Sequence, residues 1–195
     1  MSHKARWFWG MFWVWLVVDQ VTKFWVYYNL EYGIDEVPVI PGFLSIVHAQ
    51  NPGAAFGILT DFEYRHWVFL VFTLGACAVI IDLYRRVPDD AGILGSCLGL
   101  IMSGAVGNAI DRAHKRTVTD FVRVFTEDAS TIEWMSSMPG LGQFCRVSSC
   151  EWPSFNVADA ALLIGVIIFF FQQTALDEFD PPSGDDAAAA PGSGA

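Results

Sequence analysis

Four aspartates stand where an otherwise apolar chain has little reason to place them: Asp19, Asp111, Asp120 and Asp159. Lys23, Asn51, Asn108, Arg112 and Asn156 lie in the same apolar runs or on their flanks. An ionisable side chain inside or at the border of a bilayer is costly and marks a functional site by default. Two carboxylates that share a site do not readily both ionise. One proton is then held between them, leaving an acid beside a base. Such a pair can activate a water against a peptide carbonyl and protonate the departing amine, the chemistry of aspartic proteases. Other chemistries find less support. No Ser or Cys stands with a His in a nucleophile setting, and His48, His66 and His114 are too dispersed for a metal-ligand set. Hydrolysis by paired carboxylates needs neither a metal nor an organic cofactor.

The elements that must position these groups are read from composition and patterning. The chain has 195 residues, 53% hydrophobic, with eight Trp and sixteen Phe, and a mean hydropathy of +0.39. The apolar residues come in long blocks, which favours a membrane protein. The net charge of −10 is partly local. Asp177, Glu178, Asp180, Asp185 and Asp186 fall in a C-terminal stretch without Lys or Arg. No large basic patch argues for nucleic acid.

Residues 7–28 form a first expected span, about 33 Å long and enough to cross a bilayer core. Aromatic residues mark its ends, and Asp19 and Lys23 share one of its faces. Further spans are expected over 66–84, 92–110 and 157–173. The third is rich in Gly and Ser, which let helices approach closely. The connection 29–65 holds short β segments at 37–40 and 43–47, followed by the turn-rich NPGAAFG run at 51–57. A second long connection covers 111–156. The fold expected is a mainly α polytopic membrane protein: four transmembrane helices with a small extracytoplasmic β-containing element over 29–57. Residues 1–176 are read as one membrane domain and 177–195 as a disordered acidic tail.

Lys4 and Arg6, with Arg85 and Arg86, assign the N-terminus and the second turn to the cytoplasm. The C-terminus then returns to the cytoplasm. Arg112, Lys115, Arg116, Arg123 and Arg146 run against this rule and suggest a local task. In this orientation Asp19, Asn51, Asn108, Asp111, Asp120 and Asp159 all map to one outer interface. A small proton- or ion-pathway protein would distribute its carboxylates through the bilayer instead. A non-catalytic assembly subunit is the third class, favoured by the small residues of the third span.

The motifs DQVTK (19–23), NPGAAFG (51–57), GNAIDR (107–112) with VTDF (118–121), and FNVAD (155–159) resemble those of lipoprotein signal peptidase, also called signal peptidase II. They occur in order over residues 7–173. The resemblance implies an inner-membrane aspartyl protease with four helices. It would cleave signal peptides from prolipoproteins just before a cysteine carrying diacylglycerol, in contact with membrane lipid, and would be blocked by the cyclic peptide globomycin. The family's catalytic pair maps onto Asp120 and Asp159. Its supporting positions map onto Asp19, Lys23, Asn51, Asn108, Asp111, Arg112 and Asn156. Three departures stand out. Arg116 occupies a position where the family usually has Gly. The interval from Asp120 to Asp159 is longer than usual, and the acidic tail is additional.

Plainer roles stand beside these. Asp159 near a helix start is favoured by the helix dipole alone. Asp19 and Lys23 read equally as an intrahelical ion pair, Asn51 as a turn residue before Pro52, and Asn156 as a helix cap. Cys77 and Cys97 read as packing residues. For Cys145 and Cys150 a disulfide and two free thiols are equally open. Nothing demands more than a monomer.

Overall fold

The computed structural model describes residues 1–53 and 62–179, with the backbone alone over 173–179. Residues 54–57 of the NPGAAFG run, and Asp180, Asp185 and Asp186 of the tail, lie outside the described residues. In chain order the elements are α1 (His3–Asn29), β1 (Glu36–Ile40), β2 (Leu44–Asn51), α2 (Arg65–Arg86), α3 (Gly92–Lys115), β3 (Val118–Thr126), α4 (Ala129–Ser137), a 3-10 turn (Gly142–Phe144), β4 (Cys150–Glu151) and α5 (Val157–Phe179).

Helix α3 is the axis of the bundle and packs on α1, α2 and α5. Small residues allow this. A Cβ on Gly99 would lie 2.3 Å from the Phe8 carbonyl oxygen of α1, and one on Gly104 would lie 2.3 Å from the Ala158 carbonyl oxygen of α5. The backbones therefore meet where no side chain intervenes. Below this contact Phe8, Phe12, Leu16, Ile80, Leu94 and Leu98 form a dry core. Lys4 closes that end. Its ammonium reaches the Val87 carbonyl and Asp89, and lies over the Tyr84 ring.

Helices α2 and α3 are each long and apolar enough to cross a membrane, with mean hydropathies of 2.1 and 1.7. Their surroundings differ. Most of α3 faces protein, whereas only Ile80 of α2 is buried. Val71, Phe72, Leu74 and Val79 of α2 point outward, as do Val14, Val17 and Val21 of α1 and Leu163, Val166 and Phe170 of α5. Apolar side chains exposed on this scale mark a surface solvated by lipid rather than water.

At the other end of the bundle lies an antiparallel sheet in the order β1-β2-β3-β4. It is larger than expected. The sequence placed β structure only within 29–57, yet β3 and β4 come from the connection 111–156. That connection is also less open than it reads. Helix α3 continues past Ile110 to Lys115, and Asp120 lies on a strand rather than in a turn. Helix α4, a fifth helix, was not expected. Its nine residues are too short for a periodic signal, and Asp128 starts it by accepting from the Thr131 amide at 2.8 Å. Cys145 and Cys150 form a disulfide. Helix α1 starts four residues before the expected span, and α5 runs to Phe179 rather than ending at Gln173.

Arg116 ends α3 in the left-handed region, at φ 64°, and among the described residues it alone does so without being glycine. This turn reverses the chain into β3. A side chain there costs about 1 kcal/mol relative to glycine. Arg116→Gly is expected to raise stability by about that amount. Denaturation of the detergent-solubilised protein measures it, and an unchanged or lower stability counts against strain at this turn.

Candidate active site

The site is assembled from the outer turns of α1 and α3, strand β3 and the first turn of α5. Lys23 is 1% exposed and lies between two carboxylates. Its ammonium is 3.0 Å from Asp19 Oδ2 one helical turn away and 3.4 Å from Asp111 Oδ2 on α3. A third contact, at 2.9 Å, goes to Asn108 Oδ1. Each acid then reaches a further element. Asp19 Oδ1 accepts from the Ala158 amide of α5 at 2.8 Å, and Asp111 Oδ2 accepts from the Thr119 amide of β3 at 3.0 Å. Gly107 makes room for this. A Cβ there would lie 2.6 Å from Asp19 Oδ2.

Asn108 carries the network toward the paired acids. Its Oδ1 also accepts from Asn156 Nδ2 at 3.2 Å, and its Nδ2 donates to Asp159 Oδ1 at 2.7 Å. Asn156, fully buried, is the junction. Its Nδ2 donates to Asp120 Oδ1 at 2.7 Å. Its Oδ1 accepts from the Asp159 amide at 3.0 Å, while Asp159 Oδ2 accepts from the Asn156 amide at 3.2 Å. This reciprocal pair is a capping box at the start of α5. It fixes the Asp159 carboxylate by the same bonds that begin the helix. Capping and site orientation are thus one arrangement.

Asp120 is brought in by the sheet. It sits opposite Ala49 of β2, and Asn51 is two residues further along that strand. The amides of Phe121 and Val122 both donate to the Phe155 carbonyl, at 3.1 and 2.8 Å. The segment before α5 is therefore sewn to β3, with Asn156 beside Asp120. Burial pushes the Asp120 carboxyl up from its ordinary 3.8, and the negative charge of Asp159 pushes it further. Hydrogen bonds from Asn51 and Asn156 and the charge of Lys23 pull it back, leaving it at about 6. The two carboxylates thus feel one another electrostatically, and one of them is poised to hold a proton near neutrality.

Eight of the nine residues singled out from the sequence join one hydrogen-bonded cluster. Arg112 differs. It lies over the Phe69 ring at 4.9 Å, within electrostatic range of Asp159, Asp120 and Asp111, and its buried Nε has no hydrogen-bond partner among the described residues. Sequence reasoning missed Gln20, whose Nε2 bridges Asp19 Oδ2 and the Gly107 carbonyl. An amide side chain next to Asp19 within an apolar run was the available signal. It also missed Lys115, 3.6 Å from Asp111 one turn away. Among the described residues no cluster of His, Cys, Asp and Glu could hold a metal ion.

A helical bundle with outward apolar faces, enclosing paired carboxylates at one end, defines a membrane enzyme of acid–base chemistry. Comparison with known proteins gives the particular family. The family model described as signal peptidase (SPase) II matches residues 11–175. The lipoprotein signal peptidase of Geobacter metallireducens is 39% identical over 153 residues, covering 78% of this chain and 81% of the relative. That of Nitratidesulfovibrio vulgaris is 36% identical over 172 residues, covering 87% and 90%. A solved bacterial membrane enzyme structure obtained by the in meso method superimposes with a TM-score of 0.67 at 25% identity, over 89% of this chain and 90% of that one. The chain belongs to the signal peptidase II family, the aspartic endopeptidases of peptidase family A8.

The junction at Asn156 yields a test that separates cap from site. Asn156→Asp keeps an oxygen to cap α5 but replaces the Nδ2 donors with a third carboxylate beside Asp120 and Asp159. Peptidase activity is expected to fall by about two orders of magnitude or more, with the helix content by circular dichroism retained. Near-normal activity would reduce Asn156 to a cap.

Proposed function

We propose that Asp120 and Asp159 are the acid–base pair with which this peptidase removes signal peptides from prolipoproteins. The observation that carries the reading is the Asn156 side chain. It donates to Asp120 and exchanges capping bonds with Asp159, so a single amide sets both carboxylates.

We assign the role of acid to Asp120, whose carboxyl is pushed up to about 6 by burial and by the charge of Asp159. Asp159 lies in the first turn of α5, where the helix dipole favours an anion, and is assigned the role of base. Asp159 takes a proton from a water as its oxygen attacks the scissile carbonyl carbon. Asp120 gives its proton to the carbonyl oxygen, forming a tetrahedral diol. When the C–N bond breaks, the amine leaves with the proton held by Asp159, and Asp120 recovers its own from the collapsing diol. Proton count and charge are restored at each turnover. Arg112, whose Nε has no hydrogen-bond partner among the described residues, is suited to a carbonyl or headgroup oxygen of the substrate. Asp19, Lys23, Asn108 and Asp111 hold the pair in place, and Asn51 orients Asp120.

The substrate carries diacylglycerol on the cysteine after the scissile bond, and globomycin is expected to block the reaction. Helices α1, α2, α3 and α5 each span the bilayer. Lys4, Arg6, Arg85 and Arg86 favour a cytoplasmic location for the opposite end of the bundle, so the carboxylates face the outer leaflet. The sparse burial of α2 supports lateral entry of the lipid-anchored peptide from the membrane. A monomer is sufficient.

Asp120→Asn and Asp159→Asn are each expected to lower signal-peptide release from a lipid-modified prolipoprotein by about three orders of magnitude. Retained cleavage by either folded variant overturns the pair. A second expectation concerns pH. Activity, as kcat/KM, should fall with a midpoint near 6 as Asp120 loses its proton. The sign for stability is the same. A carboxyl raised in the folded state contributes stability fully below 3.8, and that contribution is lost as pH rises through about 6. Asp120→Asn, which cannot ionise, should remove this slope. A flat rate profile between pH 5 and 8 would exclude Asp120 as the acid.

A further inference from the structure

Beside the network lies a cavity of about 620 Å³, between the outer ends of α1 and α3. Lys23 and Asp111 form its floor. Asn108, Asn156, Asp120 and Asp159 do not line it, so it is separate from the carboxylate pair. We propose that this cavity binds the headgroup of an anionic phospholipid, its phosphodiester held by Lys115 and His114 and its glycerol hydroxyls by the surrounding side chains.

Three observations support this. The first is an excess of unused donors. His114, Tyr27, Tyr28, Gln50 and Thr117 line the cavity, and none of their side chains makes a hydrogen bond among the described residues. The single acid of the lining, Asp111, is already shared by Lys23, Lys115 and the Thr119 amide. A ligand rich in acceptor oxygens can take up the donors of such a wall.

The second is charge. Lys115 lines the cavity, and the exposed Arg116 follows it in sequence with no ion pair among the described residues. These cations sit at the end of the bundle that the distribution of Lys and Arg would leave neutral. A choline headgroup would bring a further positive charge to them. The aromatic face best placed to hold choline is taken, because the Lys115 ammonium lies 4.4 Å over the Tyr27 ring.

The third is continuity with lipid-facing surface. Phe24 and Ile110 line the cavity and are 62% and 41% exposed, and Val21, one turn back on α1, is 61% exposed. Acyl chains lying along this apolar strip would deliver a headgroup into the cavity. A free phosphate would gain nothing from the strip.

The test uses the full-length protein purified in mild detergent and exposed to equimolar phosphatidylglycerol and phosphatidylcholine, with bound lipid counted by native mass spectrometry. Phosphatidylglycerol should be retained with a preference of about fivefold or more, the scale expected for one well-placed cation. Lys115→Gln should bring the preference near one. The double variant His114→Gln, Gln50→Leu should also lower phosphatidylglycerol retention several-fold, and it leaves the ion pairs around Asp111 untouched should Lys115→Gln fail to fold. Inorganic phosphate at the same concentration should neither compete for the lipid nor raise thermal stability. Equal retention of the two lipids, an unchanged preference in both variants, or competition by inorganic phosphate would each overturn the proposal.

Discussion

The outer half of this protein is organised around one buried ammonium. A lysine taken out of water costs several kcal/mol unless its charge is met and its protons are bonded. Lys23 meets both conditions through Asp19, Asp111 and Asn108. The consequence is structural, because each partner has a second commitment. Asp19 holds the first turn of α5, Asp111 holds the start of β3, and Asn108 holds Asp159. Without the ammonium, Asp19 and Asp111 would face one another as like charges in a site with little water. Three elements that are distant in sequence thus take their mutual positions from one charge balance. It also supplies positive charge that opposes the burial of Asp120's carboxylate.

The division of labour along the bundle follows from this. At one end, large apolar side chains fill the space among α1, α2 and α3, and glycine contacts set the helix spacing. At the other, side-chain polar groups replace the apolar core, and those of Lys23, Asp19, Asp111, Asn108 and Asn156 bond one another. A half-satisfied polar network would be worse than an apolar core. The sheet is part of the same solution. Strand β3 brings Asp120 to the mouth of the bundle, and Phe155 hydrogen-bonds back to β3 just before the chain enters α5. The distance between the two carboxylates is therefore set by backbone pairing and a helix cap, neither of which depends on long flexible side chains.

How much of this was legible in the sequence depended on the physical signal each feature leaves. The apolar blocks announced the long helices, and charges inside those blocks announced Asp19, Lys23, Asn108 and Asp111. Asn156 read both as a helix cap and as a supporting position of the site, and its side chain bonds both Asp120 and the start of α5. Helix ends were misread where polarity rises before the helix stops. His114 and Lys115 look like loop residues, yet they belong to the last turn of α3, where cations suit the dipole. Strand β3 escaped because VTDFVRVF alternates poorly, with both of its faces partly covered by protein. The oddity of Arg116 was visible as a departure, but only its backbone angle gives the reason glycine is favoured there. Cys145 and Cys150 could not be decided by spacing, since proximity in the fold settles a disulfide and the intervening loop has no periodicity.

The long connection between Asp120 and Asp159 raises a physical question: how it is accommodated next to a finely set pair without moving it. The fold answers by closing the connection on itself. Its outer arm, β4, pairs with β3 at Phe125 and Thr126, beyond Asp120, and the Cys145–Cys150 disulfide ties β4 to the preceding turn. Arg123 reaches Glu36 of β1 on one side and Glu151 of β4 on the other, so the two ends of the sheet share a cation. These bridges are partly exposed and each contributes little on its own. Their arrangement still matters, because the chain returns through Phe155 to the backbone of Val122 whatever length precedes it. A connection whose two ends are fastened to the same strand changes the surroundings of the site and leaves the separation of its carboxylates to β3 and α5.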